Sequence, residues 1–445
     1  SVSSITTTAH DPTNATVIPV TITFDEQVAS LDPTKLDCGN CEYLVGTISG
    51  SGTTWGLDVE PTAAGVVSIS VGLLAGAATD PAGNPSTAEA LVALTTYDPV
   101  APDVVGISSS LTSPINTAPI PVEIEFSEEL ADFDTTGLSV GNGSAGSGFT
   151  TSDNITFSIE ISPTVDDDDV TVSVPVDSYH DLAGNLNDST AESFSIAYDG
   201  IRPEVTETTL MSPIEPVNGP FTVAVTFSEE VTGFDSSGDL SVTNGTAGAP
   251  VQLDPQNYEV TITPPELSGG TAEISVVFGA ADDTAGNTNL YFGPLSVDYD
   301  TTPPAVMSIS STETGPTNIP VIPVDVEYSE PVIGVDPNSF VLENCVYADG
   351  SLTGADSSWS FEVGPIMDGP VTVATNGGTA FDYAMNPDVP SSASFSIEFD
   401  PTPPVVTSLT SLNGDYFTMG AGAEPALVEI VFSEPVMDMP AALLQ

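Results

Sequence analysis

Three short motifs return along this 445-residue chain in a fixed order and at one spacing. The first is an aromatic residue, then Ser or Asp, then Glu: Phe24-Asp25-Glu26, Phe126-Ser127-Glu128, Phe227-Ser228-Glu229, Tyr328-Ser329-Glu330 and Phe432-Ser433-Glu434, at intervals of 102, 101, 101 and 104 residues. The second is Asp80-Pro-Ala-Gly-Asn84, Asp181-Leu-Ala-Gly-Asn185, Asp283-Thr-Ala-Gly-Asn287 and the degenerate Asp382-Tyr-Ala-Met-Asn386. The third is Tyr97-Asp98, Tyr198-Asp199, Tyr299-Asp300 and Phe399-Asp400, each followed closely by Pro102, Pro203, Pro303-Pro304 or Pro403-Pro404. Periods of a few tens of residues signal solenoids and propellers, so a period near 100 is that of a whole small domain.

The third motif marks the junctions. It closes an alternating run such as Phe194-Ser-Ile196-Ala-Tyr198 and opens onto proline, which stiffens the chain toward an extended form. Domains are therefore expected at 1–98, 99–199, 200–300 and 301–400, with a partial one at 401–445. Half a domain cannot bury its core, so the chain reads as part of a longer array.

Within a unit the period is two. Val122, Ile124 and Phe126 alternate with Glu123 and Glu125, and Val20-Ile22-Phe24 and Val223-Val225-Phe227 repeat the pattern. Such runs are half-buried strands. Six or seven fit each unit, separated by Gly, Asn, Asp and Pro, and no stretch carries a capped 3.6-residue period. The expected fold is all-β, a tandem array of immunoglobulin-like β-sandwiches joined by short Pro-containing linkers.

Composition sets the partners. Asp and Glu number 63 against 2 Lys and Arg, a formal charge of −61, so no phosphate backbone can be neutralised and nucleic acid is excluded as a partner. Charged residues are only 15% and apolar ones 40%, so the acidity accompanies folded cores rather than disorder. The longest apolar stretch, Val66–Ala78, is broken by Ser and Gly and falls short of the roughly 20 residues that span a bilayer.

In this order the motifs, strand-Phe-Ser-Glu, Asp-x-Ala-Gly-Asn, then Tyr-Asp-x-x-Pro-Pro, resemble the tandem bacterial immunoglobulin-like domains of large cell-surface adhesins. The resemblance covers the whole chain and departs at Asp25 for Ser, at Met385 for Gly and in the cysteines of the first unit. It implies an extracellular, rod-like, often calcium-stiffened stalk whose neighbours are further domains of the same polypeptide.

Topology turns the motifs into a site. In a seven-stranded sandwich the exit of the second strand and the loop before the last strand share the pole at which the chain enters. Glu128, Asp181 and Asn185 should therefore meet Asp98, which arrives from the preceding junction. The equivalent sets are Asp199, Glu229, Asp283 and Asn287; Asp300, Glu330, Asp382 and Asn386; Asp400 and Glu434; and Glu26, Asp80 and Asn84. Clustered carboxylates repel unless a cation lies among them, and all-oxygen ligands suit Ca²⁺. The alternative is a tight turn, with Asp capping its own backbone and Gly at positive φ. Met385 adopts positive φ less cheaply than Gly, so the fourth loop is expected to differ and its site to be weakest.

Other acids read differently. Asp32, Asp134, Asp235 and Asp336 recur eight residues after the aromatic and suggest loop caps, and the run Asp166–Asp169 suggests a solvated tip. Cys38-Gly-Asn-Cys41 suggests a local disulfide, and Cys345 a buried thiol. Sequons stand at Asn14, Asn142, Asn154, Asn187 and Asn244. His10 and His180 are a domain apart and no nucleophile elbow or zinc-protease helix is present, so the expected role is non-enzymatic. A stalk or extender segment stands against an adhesive module that grips carbohydrate or protein through end loops, and self-association into filaments through Lys-free sheet edges is a third option. Trp55 and Trp359 are the aromatics such a module would use, or else core residues.

Overall fold

The computed structural model describes residues 1–188, 193–211, 215–412 and 427–437. The chain divides into two compact units, one made of Ser1–Glu204, Glu229–Gly233 and Ala281–Leu290, the other of Val205–Ser228, Phe234–Ala280 and Tyr291–Gln445. Apart from single 3₁₀ turns, all regular structure among the described residues is β-strand, as the period-two runs require.

In the first unit the second repeat shows the plan. Strands Val104–Ser108, Ile120–Phe126, Thr156–Pro163 and Gly143–Thr150 lie side by side in one sheet, in that order. Ser139–Gly141, Asp168–Ser173 and Ser193–Tyr198 form the other, and every pairing is antiparallel. Alternation along Ile120–Phe126 is complete: Ile120, Val122, Ile124 and Phe126 are buried, while Pro121, Glu123 and Glu125 face water. Phe126 meets Phe133, Phe157 and Tyr179 edge-on, with ring centroids 6.4, 5.9 and 6.0 Å away. The first repeat has the same two sheets, built from Val2–Thr7, Ile18–Val28, Ser49–Pro61 and Cys41–Tyr43, and from Leu36–Gly39, Val67–Leu73 and Glu89–Tyr97.

In the second unit, strands from Val205–Leu210 to Phe292–Asp300 and from Val306–Ser310 to Ser394–Phe399 repeat the plan twice. Each adds a short strand to the larger sheet, Val251–Gln252 and Thr353–Ala355. The hairpin Val406–Ser411 with Val428–Phe432 follows. The expected partial domain 401–445 lies only in part among the described residues, since 413–426 and 438–445 fall outside them.

Two devices recur that the motifs did not announce. After its first strand the chain changes sheets and forms a parallel bridge to the last strand, at Thr13↔Tyr97, Ile115↔Tyr198, Val217↔Tyr299 and Thr317↔Phe399. The strand-to-strand crossing between sheets turns on an asparagine in the left-handed region, Asn40, Asn142, Asn244 and Asn344, with φ of 58°, 47°, 52° and 56°. Asparagine tolerates that conformation better than most residues. Its side-chain amide then ties the corner down, Asn142 donating to the Val165 carbonyl at 3.0 Å and Asn40 to that of Ser68 at 2.8 Å.

The cysteine expectation is corrected: Cys38 and Cys41 are free thiols. The turn at Asn40 sends Cys41 into the core, where its thiol donates to the Ser70 carbonyl at 3.6 Å, while Cys38 stays partly exposed on the other sheet. Cys345 is buried as expected, and burial pushes its thiol up to about 11. Trp55 and Trp359 both pack against the cores of their domains.

Truncating Phe126 to Ala removes the ring at the centre of this aromatic contact set and should cost about 3–5 kcal/mol. Denaturant unfolding of the second domain checks it; a loss below about 1 kcal/mol contradicts the packing described.

Candidate metal centres

The Asp-x-Ala-Gly-Asn loop is a tight turn held by its first and last residues. The Asp181 N–H donates to the Asn185 carbonyl at 3.1 Å, and the Gly184 N–H to the Asp181 carbonyl at 3.3 Å. The Asp181 carboxylate then accepts twice, from the Asn185 N–H at its Oδ1 and from Asn185 Nδ2 at its Oδ2, both at 2.8 Å. Asp80, Asp283 and Asp382 repeat both contacts with Asn84, Asn287 and Asn386. Gly83, Gly184 and Gly286 have φ of 89°, 93° and 90°, the left-handed geometry that glycine adopts without strain.

Met385 takes the same conformation, with φ of 68°, so the expectation of a different fourth loop is overturned. The same bonds enforce it, Met385 N–H to the Asp382 carbonyl at 3.2 Å and Asn386 N–H to Asp382 Oδ1 at 2.8 Å. These outweigh the roughly 1–2 kcal/mol that a side chain costs there.

The loop is also tied to the junction. Asn185 Nδ2 donates to the Asp98 carbonyl at 2.8 Å, Asn287 Nδ2 to that of Asp199 at 2.8 Å, and Asn386 Nδ2 to that of Asp300 at 2.7 Å. Each junction aspartate is fixed on both sides. Its N–H bonds the carbonyl of the bridging residue, Thr13, Ile115, Val217 or Thr317, at 2.8–2.9 Å. Its Oδ1 accepts the N–H two residues on, Val100, Ile201, Thr302 or Thr402, at 2.9–3.1 Å. One oxygen of each junction carboxylate is thereby used and the other left.

The aromatic-Ser-Glu motif now divides by role. The aromatic is core; the serine pins the start of its own domain's first strand, Ser127 accepting the Asp103 N–H at its Oγ at 2.9 Å and returning its own N–H to the Asp103 carbonyl at 2.8 Å. Ser329 does the same with Ala305, and Ser433 with Val405. The glutamate is left to face the loop and the junction.

Three groups of carboxylates result: Asp98, Glu128 and Asp181; Asp199, Glu229 and Asp283; Asp300, Glu330 and Asp382. Within each, one oxygen from every member lies within 4.8 Å of the others. The loop aspartates are almost fully buried, and the glutamates half-buried. Among the described residues no donor reaches Glu128, Glu229 or Glu330. Burial, then the charges of Asp98 and Asp181, push Glu128 up to about 7. Burial, then Asp199 and Asp283, push Glu229 up to about 7, and Glu330 rises for the same reasons beside Asp300 and Asp382. The turn and the convergence are thus both present, because the turn presents its aspartate to the junction.

The outer sets are smaller. Glu26, Asp80 and Asn84 line one hollow with Ser1. Asp400 and Glu434 line another, where burial and Asp400 raise Glu434.

Sequence reasoning passed over the residue two beyond each loop. Asn187, wholly buried, accepts the N–H groups of Ser178 and Tyr179 at 2.9 Å and donates to the Pro175 carbonyl, which fixes the approach to Asp181. Asn289, Asp388 and Ser86 hold the same place. The signal was an extended motif, Asp-x-Ala-Gly-Asn-x-Asn/Asp, which departs at its last position only in the first repeat, with Ser86, and has Met385 for Gly in the fourth. All five sequon asparagines donate through their amides: Asn14, Asn142, Asn187 and Asn244 to Asn185, Val165, Pro175 and Thr271. Asn154 donates to Glu129.

The periodic aspartates are caps at three positions, with Asp32, Asp134 and Asp336 accepting from Thr34, Thr136 and Asn338. Asp235 is the exception, because Ser236 and Asp239 form the capping box there. In the Asp166–Asp169 run, the charges of Asp166 and Asp167 act on Asp199, and that of Asp167 on Glu229. A Cβ on Gly200, next to Asp199, would meet Asp166 Oδ1 at 2.4 Å.

Residues 98–198 and 199–295 each match the family model of a bacterial Ig-like domain, so the chain contains tandem domains of that family. The matched segments start at the two junction aspartates. A search of curated proteins gives no match. Among solved structures, the Escherichia coli adhesin FdeC is 11% identical over 66% of this chain and 96% of its own, with a TM-score of 0.31. Invasin, a bacterial integrin-binding protein, is 14% identical over 93% and 82%, with a TM-score of 0.33. Yersinia pseudotuberculosis InvD is 12% identical over 65% and 96%, with a TM-score of 0.29. These likenesses assign no partner or activity to this chain.

Without a metal the raised glutamates bind protons in the folded state at pH values where unfolded glutamates, near 4.5, have already lost theirs. Their contribution to stability is present below about 4.5 and lost as pH rises through about 7. In chelator, the pH dependence of melting should therefore shrink when Glu128 and Glu229 become Gln, and the variants should gain most at pH 8. Variants that melt lower than wild type at pH 8 contradict this electrostatic account.

Proposed function

We propose that the chain is a structural segment of an extracellular surface protein, a stalk or extender whose domain junctions are stiffened by calcium. The observation that carries it is the recurrence of one carboxylate group at three consecutive junctions, each drawing its first aspartate from the end of one domain and its glutamate and second aspartate from the next. A catalytic centre would occur once; a device that recurs at three consecutive junctions serves the array. The domain bounds 1–98, 99–199, 200–300, 301–400 and 401–445 belong to this reading.

All the candidate ligand atoms are oxygens, and a hard cation such as Ca²⁺ takes six to eight of them at about 2.3–2.6 Å. Three carboxylates supply part of that set and leave room for water. The residues fit the ion: among the described residues the glutamates lack a donor, and Lys and Arg number only 2 in the whole chain. Asp98, Asp199 and Asp300 keep one carboxylate oxygen beyond the turn they cap. An ion held there links the last strand of one domain to two loops of its neighbour. The adhesive-module reading loses its aromatic candidates, since Trp55 and Trp359 pack on cores.

Calorimetric titration of the whole chain with CaCl₂ should show uptake at sub-millimolar to millimolar concentration, the range of extracellular modules. Changing Glu128, Glu229 and Glu330 to Gln should weaken it by at least about tenfold. Absence of heat and of any shift in melting temperature at about 10 mM calcium, roughly tenfold above that range, overturns the proposal.

A further inference from the structure

Each domain carries an asparagine directly after the residue whose carbonyl receives the junction aspartate's N–H: Asn14, Asn116, Asn218 and Asn318. In the first unit Asn14 touches the following domain's loop twice. Its N–H donates to the Ala183 carbonyl at 3.3 Å, and its Nδ2 donates to Asn185 Oδ1 at 3.2 Å. Gly184 lies beside this amide, and a Cβ there would stand 3.7 Å from Asn14 Nδ2, an ordinary contact distance. A Cβ on Gly286 would lie 3.6 Å from Asn116 Nδ2 in the same way. In the second unit Asn218 and Met385 line one hollow.

Asn185 is an amide with two unlike ends. Its Nδ2 stands between two acceptors, Asp181 Oδ2 and the Asp98 carbonyl, each at 2.8 Å. Turned over, it would set its oxygen against both and its NH₂ against the donor of Asn14. Three contacts therefore agree on one orientation, and Asn14 supplies the one that comes from the preceding domain's body rather than from the carboxylate group.

We propose that Asn14 is a positioning residue of the first junction, holding Asn185 so that its NH₂ clamps Asp181 to Asp98 while its oxygen is occupied away from the ion. It rests on the calcium reading above for its effect on the ion, and on the hydrogen bonds alone for its effect on the loop. It revises the ligand set: the cation is held by Asp98, Glu128, Asp181 and water, and Asn185 orients the carboxylates without ligating. Groups that orient metal ligands affect affinity without touching the ion.

Hydrogen exchange on the whole chain, followed by mass spectrometry of peptides covering 181–188, 283–289 and 382–388, tests it. Protection against calcium concentration gives one midpoint for each junction, and the later two loops serve as internal controls. With Asn14→Ala, exchange in 181–188 should quicken in chelator, and its calcium midpoint should rise about threefold, the worth of one exposed hydrogen bond. The other loops should stay as in wild type. Asn14→Asp keeps the shape and removes the donor, so in chelator it should behave as Asn14→Ala; wild-type behaviour would mean that only packing matters and overturns the proposal. Unchanged exchange in 181–188 for Asn14→Ala, or loss of protection spread through Ile18–Val28, overturns it as well. Faster exchange in 181–188 in a chain whose wild-type loops gain no protection from calcium supports the positioning role and defeats the calcium reading.

Discussion

Three carboxylates within 4.8 Å of one another are the constraint on which the junctions depend. Two unit charges about 4 Å apart repel by about 1 kcal/mol in water and about 4 kcal/mol at an effective dielectric near 20. The fold does not relieve that repulsion with Lys or Arg, which number 2 against 63 acids. It holds the groups together with neutral donors instead. Asn185, Asn287 and Asn386 spend their amides between a loop carboxylate and a junction carbonyl, and the junction aspartates are capped by their own backbone. The glutamates carry most of the remaining stress and are driven upward, as is Asp199 at the second junction. A divalent cation removes the stress at its source, and proton uptake removes part of it when no cation is present.

Much of this was legible in the sequence because the repeat supplies its own controls. Period-two burial along Ile120–Phe126 follows directly from the alternation. The meeting of Asp98, Glu128 and Asp181 follows from the return of strands to one pole, a matter of topology rather than of side-chain detail. The tight turn and the acidic convergence, set against each other in the sequence, are one arrangement in space, since the turn is what delivers Asp181 to Asp98.

What was not legible depended on where one polar atom points. Asn185 belongs with the acids by spacing, but only its contacts show the NH₂ facing them. Asn187 and Asn289 are buried supports that composition presents as sequons or turn residues. Met385 misleads because conformational preference is local, whereas its φ is set by bonds from Asp382 and Asn386 on either side. Cys38 and Cys41 have a spacing that suits a disulfide and side chains that meet, yet both are free thiols; the left-handed Asn40 carries the chain from one sheet to the other between them. The acidity itself splits between roles: the three junction groups use nine carboxylates, and most of the charge of −61 remains solvated surface that keeps neighbouring molecules apart.

The proposed role of the junction cations is to stiffen the array. Small-angle scattering of the whole chain in millimolar calcium and in chelator, at constant ionic strength, measures this directly. The account predicts a longer, narrower distribution of intramolecular distances in calcium, and a shorter, broader one in chelator and in the variant with Glu128, Glu229 and Glu330 changed to Gln. Scattering curves that superimpose with and without calcium would contradict it.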